Sequence, residues 1–365
     1  MRSLSFAALA LVLGAGALNS MEQPVSTPAA PSTRPAAQKA ELLYVCVQDD
    51  AKVAVVDMGA QKVVRTIDLT KRGFSSTAKP HYIVVEPDKS HWYVSLIGAN
   101  RVVKFDRNDR IVGQFEMETP GMLSLGGSDV LLVSRSMSAV NPPKRIAILR
   151  RTTMQGEEID VVFPRPHPMA STGRYAYTGS LGVNQIASVA LTDHRVLLEK
   201  VAGPAHGLVQ FAISPDGRTL VATAELSGQL LVFNLQTPER PNLVTSIALG
   251  KMAFDPVFTP DGQSIWVPIK STNEIAVVDA LSWTESTRIK DPVFQQPHQI
   301  VFSPDGRTAF VTNNNKMDHM ADPTHAAHPM PASGDGAAAL AIVDVQTRRV
   351  VRSIVLGKNL TGMGR

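Results

Sequence analysis

A single cysteine in 365 residues, Cys46, excludes an intrachain disulfide and the small stapled folds common among exported proteins. It lies in the apolar stretch LYVCVQ, where a buried small residue is the expected role. No apolar run reaches the roughly 20 residues that a membrane-spanning helix needs. The run from Leu4 to Leu18 follows the basic Arg2 and passes into small and polar residues, so residues 1–20 read as a secretory signal peptide. No cysteine follows that run, which argues against a lipid anchor. The 36 Lys and Arg residues face 32 Asp and Glu and are scattered rather than clustered, so there is no nucleic-acid footprint. Also missing are a C-x-x-C-H haem attachment, a G-x-S-x-G nucleophile elbow, a Gly-rich phosphate loop and tryptophan-docking repeats. Those absences exclude particular families; they leave open a site assembled from distant loops.

What is present is short and periodic. Apolar residues make up 44% of the chain, while Gly and Pro, at 25 each, divide it into many short segments. That profile suits an all-β protein. Residues 21–40 are rich in Pro, Ala and Ser without apolar periodicity and read as a disordered linker ahead of a folded region over 41–365.

A six-residue strand pattern recurs as KVAVVD at 52, RVVKFD at 101, RIAILR at 145, QIASVA at 185, QLLVFN at 229, EIAVVD at 274 and ALAIVD at 339. The starts are 49, 44, 40, 44, 45 and 65 residues apart, and the last gap contains a polar insertion at 316–336. Without it the spacing returns to about 44, the length of a four-stranded blade. Each copy is flanked by apolar strands and preceded by a further strand that ends in a turn, as in FAISPDGRT, VFTPDGQS and VFSPDGRT. In these turns Pro presets φ, Asp caps its own backbone and Gly takes the left-handed conformation. Seven copies predict a seven-bladed β-propeller. The chain starts at a second strand and ends where the missing first strand would lie, so the N-terminal strands are expected to close the ring by pairing with the C-terminal segment.

The segment QPHQIVFSPDGRTAFVTN, with IAVVD and V-x-x-I-x-L-G elsewhere, resembles the YVTN repeat of bacterial and archaeal surface and periplasmic propellers. The resemblance spans about residues 41–365. It implies kinship with the propellers of nitrous-oxide reductase, the haem-d nitrite reductases and lactonases, whose activities are unrelated.

Candidate chemistry rests on histidine. Aligned on the turn, His81 in KPHYIVVEPD and His298 in QPHQIVFSPD share a register and should open innermost strands at the channel mouth. In the same alignment His206 falls three residues earlier, Asp255 one later and His167 about two later. The insertion lies in a loop expected on the same face and holds Met317, His319, Met320, His325, His328 and Met330. Imidazole and thioether together favour copper over hard cations. His91 and His194 read as structural, and the run Asn313 to Asn315 as a strand end. The expectation is therefore a periplasmic or secreted binding propeller, non-catalytic, with a copper-type site on its upper face. Its ligands would come from His81, His206, His298 and the six insertion residues. The partner would be a metal ion or a protein, with no nucleic acid and no membrane span. Two alternatives stand beside it: a protein-protein interaction scaffold, and a lactonase-like or haem-d-binding enzyme or carrier using the channel mouth as its pocket.

Overall fold

The structure, a computed structural model, describes residues 40–136, 144–315 and 336–365. The expected signal peptide and linker, and the insertion residues Met317, His319, Met320, His325, His328 and Met330, lie outside the described residues.

The described chain forms seven four-stranded antiparallel sheets. Blade 2 shows the plan: Pro80–Val85, His91–Leu96, Arg101–Asp106 and Ile111–Glu116. Its second and third strands are buried on both sides, whereas its outermost strand alternates half-buried and exposed. That contrast explains the sequence: inner strands read as continuous apolar runs, and outer strands such as Ile111–Glu116 alternate. A blade cannot bury both faces alone, and it does so by stacking. Seven apolar clusters each join two adjacent blades; one packs Tyr93 and Val102 of blade 2 against Leu123, Leu131 and Ala147 of blade 3. Polar clasps reinforce the seams. Between blades 1 and 2, Arg65 Nε–H donates to Asp109 Oδ2 at 2.5 Å, and Trp92 Nε1–H donates to Asp109 Oδ1 at 3.2 Å.

The ring closes as the sequence leads one to expect. Blade 1 takes Leu360–Gly364 from the C-terminal end and Leu42–Val47, Lys52–Asp57 and Lys62–Asp68 from the N-terminal end. Tyr44 pairs with Gly364 and Val47 with Leu360. Among the described residues no helix is long and apolar enough to cross a membrane.

The first strands pack against one another around the axis and form the channel wall. Each is preceded by a residue of positive φ: Lys79, Thr119, Arg165, Gly207, Met252, Gln296 and Asn359. Six of these seven are not glycine, so each holds a conformation that costs about 1–2 kcal/mol for an L-residue. A repeated hydrogen bond helps to offset that cost. The carbonyl of each accepts from the backbone N–H of the residue just after the second strand, respectively Ile97, Ser136, Leu181, Glu225, Lys270, Asn314 and Gln48. The chain is thereby turned sharply from one face of the propeller down into the channel.

Candidate functional site

Just beyond that turn, each first strand carries a bulge. Pro80 pairs with Leu96 and Tyr82 with Ser95, so two steps on the first strand match one on the second. The same extra residue occurs in every blade. Bulges re-aim side chains, and here they set two stacked layers inside the channel. Serving the bulge is a hydroxyl on the second strand: Tyr82 N–H donates to Ser95 Oγ, Met122 N–H to Ser134 Oγ and Gln299 N–H to Thr312 Oγ1. Cys46 occupies the corresponding position of blade 1, which accounts for a buried small polar residue there.

In strand register the upper layer comprises Thr361, His81, Gly121, His167, Val209, Phe254 and His298, in blades 1 to 7. His167 therefore stands level with His81 and His298, not two residues beyond them, because the turn that follows its strand, 172–174, is two residues shorter than the turn 86–90 of blade 2. His298, Thr361, His81, Gly121 and His167 form an arc in which three imidazoles alternate with two small residues.

The His81 and His298 rings meet edge to face with centroids 6.2 Å apart. His81 Nδ1–H donates to Gln48 Oε1 at 2.9 Å and His167 Nδ1–H to Val209 O at 2.6 Å. Each acceptor lacks a proton, so the neutral ring carries its lone pair on Nε2. Phe254 lies 5.4 Å from His298, centroid to centroid, and Lys270 Nζ stands 3.4 Å from the Phe254 centroid. His206 is placed differently. It is buried in a loop of blade 5, with Nδ1 2.9 Å from Ser227 Oγ and Nε2 2.9 Å from Ala202 O, so a metal would have to displace one of these. Among the described residues, no three His, Cys, Asp or Glu side chains gather as a metal cluster.

The lower layer consists of the next residue in each blade, including Tyr82, Met122, Gln210, Asp255 and Gln299. These side chains meet across the axis. Gln299 Nε2–H donates to Tyr82 OH at 3.0 Å, Tyr82 OH lies 3.5 Å from Asp255 Oδ2, and Gln210 Nε2–H reaches Met122 Sδ at 3.3 Å. Met363 N–H donates to Gln299 Oε1. Burial raises the Asp255 carboxyl to about 7, against the lowering effect of hydrogen bonds from Gln210, Tyr82 and Gln299. Burial and the neighbouring Asp255 push the Tyr82 phenol well above its ordinary range.

Farther along the channel, toward the opposite face, lies a cavity of about 410 Å³ lined by Tyr82, Val85, Leu125, Met169, Phe211 and Met363 among others. The expected enzymatic pocket was at the histidine mouth; this cavity is at the other end.

Several contributors were not legible as a group. Gln48, Glu225, Lys270 and Asn314 are buried and equivalent by the repeated hydrogen bond, yet they share no residue type. The run Asn313 to Asn315 does more than end a strand. Asn313 Nδ2–H donates to Ala339 O at 2.8 Å, and Asn314 Nδ2–H donates to Leu360 O at 2.9 Å across the closing seam. His91 and His194 are locally engaged, the first with Ser90 Oγ and the second with Glu157, each at 2.9 Å.

No protein-family model and no curated protein matches the chain. Solved structures share the fold. A functionally unknown protein from Desulfotomaculum acetoxidans superposes with a TM-score of 0.68 at 12% identity, over 89% of this chain and 98% of that one. The periplasmic gluconolactonase PpgL of Pseudomonas aeruginosa gives 0.63 at 19% identity, over 88% and 98%. The dihydro-haem d1 dehydrogenase NirN, in complex with DHE, gives 0.57 at 15% identity, over 92% and 78%. At these identities the likeness is one of architecture, and the resemblance to YVTN-type propellers stands at that level.

Proposed function

We propose that the protein is an exported binding propeller that captures a copper ion at the histidine end of its channel. The observation that carries this reading is the His81–His298 pair, two imidazoles from blades 2 and 7 with centroids 6.2 Å apart. A ring nitrogen held by a second-layer acceptor, as Gln48 holds His81, orients the other nitrogen for a metal. The pair supplies two donors, and the insertion adds His319, His325 and His328 with the thioethers of Met317, Met320 and Met330. That donor set suits Cu(I). His206 is left out of this ligand set because both its nitrogens are already engaged.

Copper titration of the full chain tests the reading, alongside His81→Ala, His298→Ala and a variant lacking residues 316–336. Stoichiometric Cu(I) binding, weakened at least tenfold by each change with the fold intact, supports it. Weak, nonstoichiometric binding indifferent to all three sinks it. Loss of a protein partner on removing the insertion, without metal dependence, would favour a scaffold instead. The 410 Å³ cavity supports a second reading, a small-molecule site of the lactonase or haem-binding kind. A coloured protein, or lactone turnover, would favour it.

A further inference from the structure

Two loops of blade 5 meet on the face that carries the histidines. Residues 201–207 lead into its first strand, and residues 225–228 join its second and third strands. The loops are stapled by Leu226 N–H donating to His206 O at 2.9 Å, and His206 N–H is held by Asn184 Oδ1 at 2.9 Å. Gly203, at φ +121°, passes so close that a Cβ there would stand 2.8 Å from His206 Nε2. The imidazole is thus fixed from several sides.

Its two hydrogen bonds define its chemistry. Ala202 O can only accept, so the ring proton sits on Nε2, 2.9 Å away. Nδ1 then holds the lone pair, and the hydroxyl 2.9 Å from it, Ser227 Oγ–H, must be the donor. A hydroxyl that gives its proton to an imidazole whose far nitrogen is held by a third group has the geometry of an activated nucleophile. His206 is 1% exposed, whereas Ser227 is partly exposed to solvent. Among the described residues Ser227 N–H has no hydrogen-bond acceptor, which leaves the nucleophile's own amide to meet a developing oxyanion.

We propose that Ser227, His206 and the Ala202 carbonyl form a nucleophilic site that accepts the acyl group of small esters. Ser227 Oγ bonds to the ester carbonyl carbon as its proton passes to His206 Nδ1. The C–O bond to the alcohol then breaks, and the alcohol leaves with that proton. Water, deprotonated by the same nitrogen, releases the acid and restores the hydroxyl. A neutral carbonyl stabilises the imidazolium less than a carboxylate would, so acylation and release are both expected to be slow. The site uses neither His81 nor His298 and stands independently of metal capture.

The test is covalent labelling of the full chain by a fluorophosphonate, read by intact mass and peptide mapping. Attack by Ser227 Oγ expels fluoride and adds one phosphonyl group. The expected result is a single adduct at Ser227, absent in Ser227→Ala, retained in Ser271→Ala and formed at least 100-fold more slowly in His206→Gln. Ser271 is a fair control, a partly exposed serine in the matching loop of blade 6 whose hydroxyl donates to Lys251 O at 2.6 Å. Should His206→Gln fail to fold, labelling of the unmodified chain in D2O serves: passage of the Ser227 proton to His206 in the slow step should lower the rate about twofold. Absence of a Ser227 adduct, or a rate unchanged by His206→Gln and by D2O, overturns the proposal.

Discussion

Tyr82 and Gln299 lie 217 residues apart in sequence, yet Gln299 Nε2–H donates to the Tyr82 hydroxyl at 3.0 Å across the channel. Both follow a histidine directly, so the imidazole layer rests on a layer of mutually bonded polar side chains that includes the buried Asp255.

Asp255 should make stability depend on pH. Its folded pKa of about 7 lies above the ordinary 3.8, so the native state holds a proton that the unfolded chain releases between those values. The stabilisation is full below the ordinary value and is lost as pH rises through about 7; it amounts to roughly 4 kcal/mol at most. Urea denaturation from pH 5 to pH 8 should show this decline. Asp255→Asn, which keeps the shape without the charge, should flatten it and be the more stable protein at pH 8.

Removing the clasp between blades 1 and 2 should be costly. Asp109→Ala strands the buried Trp92 indole N–H and leaves the part-exposed Arg65 guanidinium with Tyr44 OH and solvent. A loss of about 1–3 kcal/mol is expected by chemical denaturation. A change under 0.5 kcal/mol would mean that the seam repacks.

Gly362 lies in the closing strand against blade 2, where an added Cβ would meet His81 O and stand 2.6 Å from Tyr82 Cα. Both are backbone atoms and cannot swing aside. Gly362→Ala should cost about 1–3 kcal/mol by overpacking, and amide exchange should quicken first in Leu360–Gly364 and its partner Leu42–Val47.

Cys46 should be chemically silent. It is fully buried, and burial raises its thiol well above the ordinary range. A thiol reagent should leave the native protein unmodified for hours and react once per chain in denaturant.

The blades could be read because each repeats its apolar runs and turns, and the closing strands because the chain starts and stops out of phase with the repeat. Placement of His81 and His298 followed from two shared Pro-His pairs. His167 was misplaced by two residues because the count ran back from the turn, and the turn of its blade, 172–174, is two residues shorter than 86–90. The Ser227–His206 pair escaped for another reason: its members belong to separate loops, and neither sits in a motif. Their meeting depends on left-handed Gly203 and the staple from Leu226, which only coordinates reveal.

The turn ahead of every first strand has one further consequence. Because Lys79, Thr119, Arg165, Gly207, Met252, Gln296 and Asn359 are held through their carbonyls, the backbone does not ask for any one side chain. The second residues after them stand in seven equivalent sockets, three now filled by imidazole. Gly121 is closed to any side chain, since a Cβ there would meet the backbone of Arg135 and Ser136, but elsewhere the ring can change its chemistry one socket at a time while its architecture stays still.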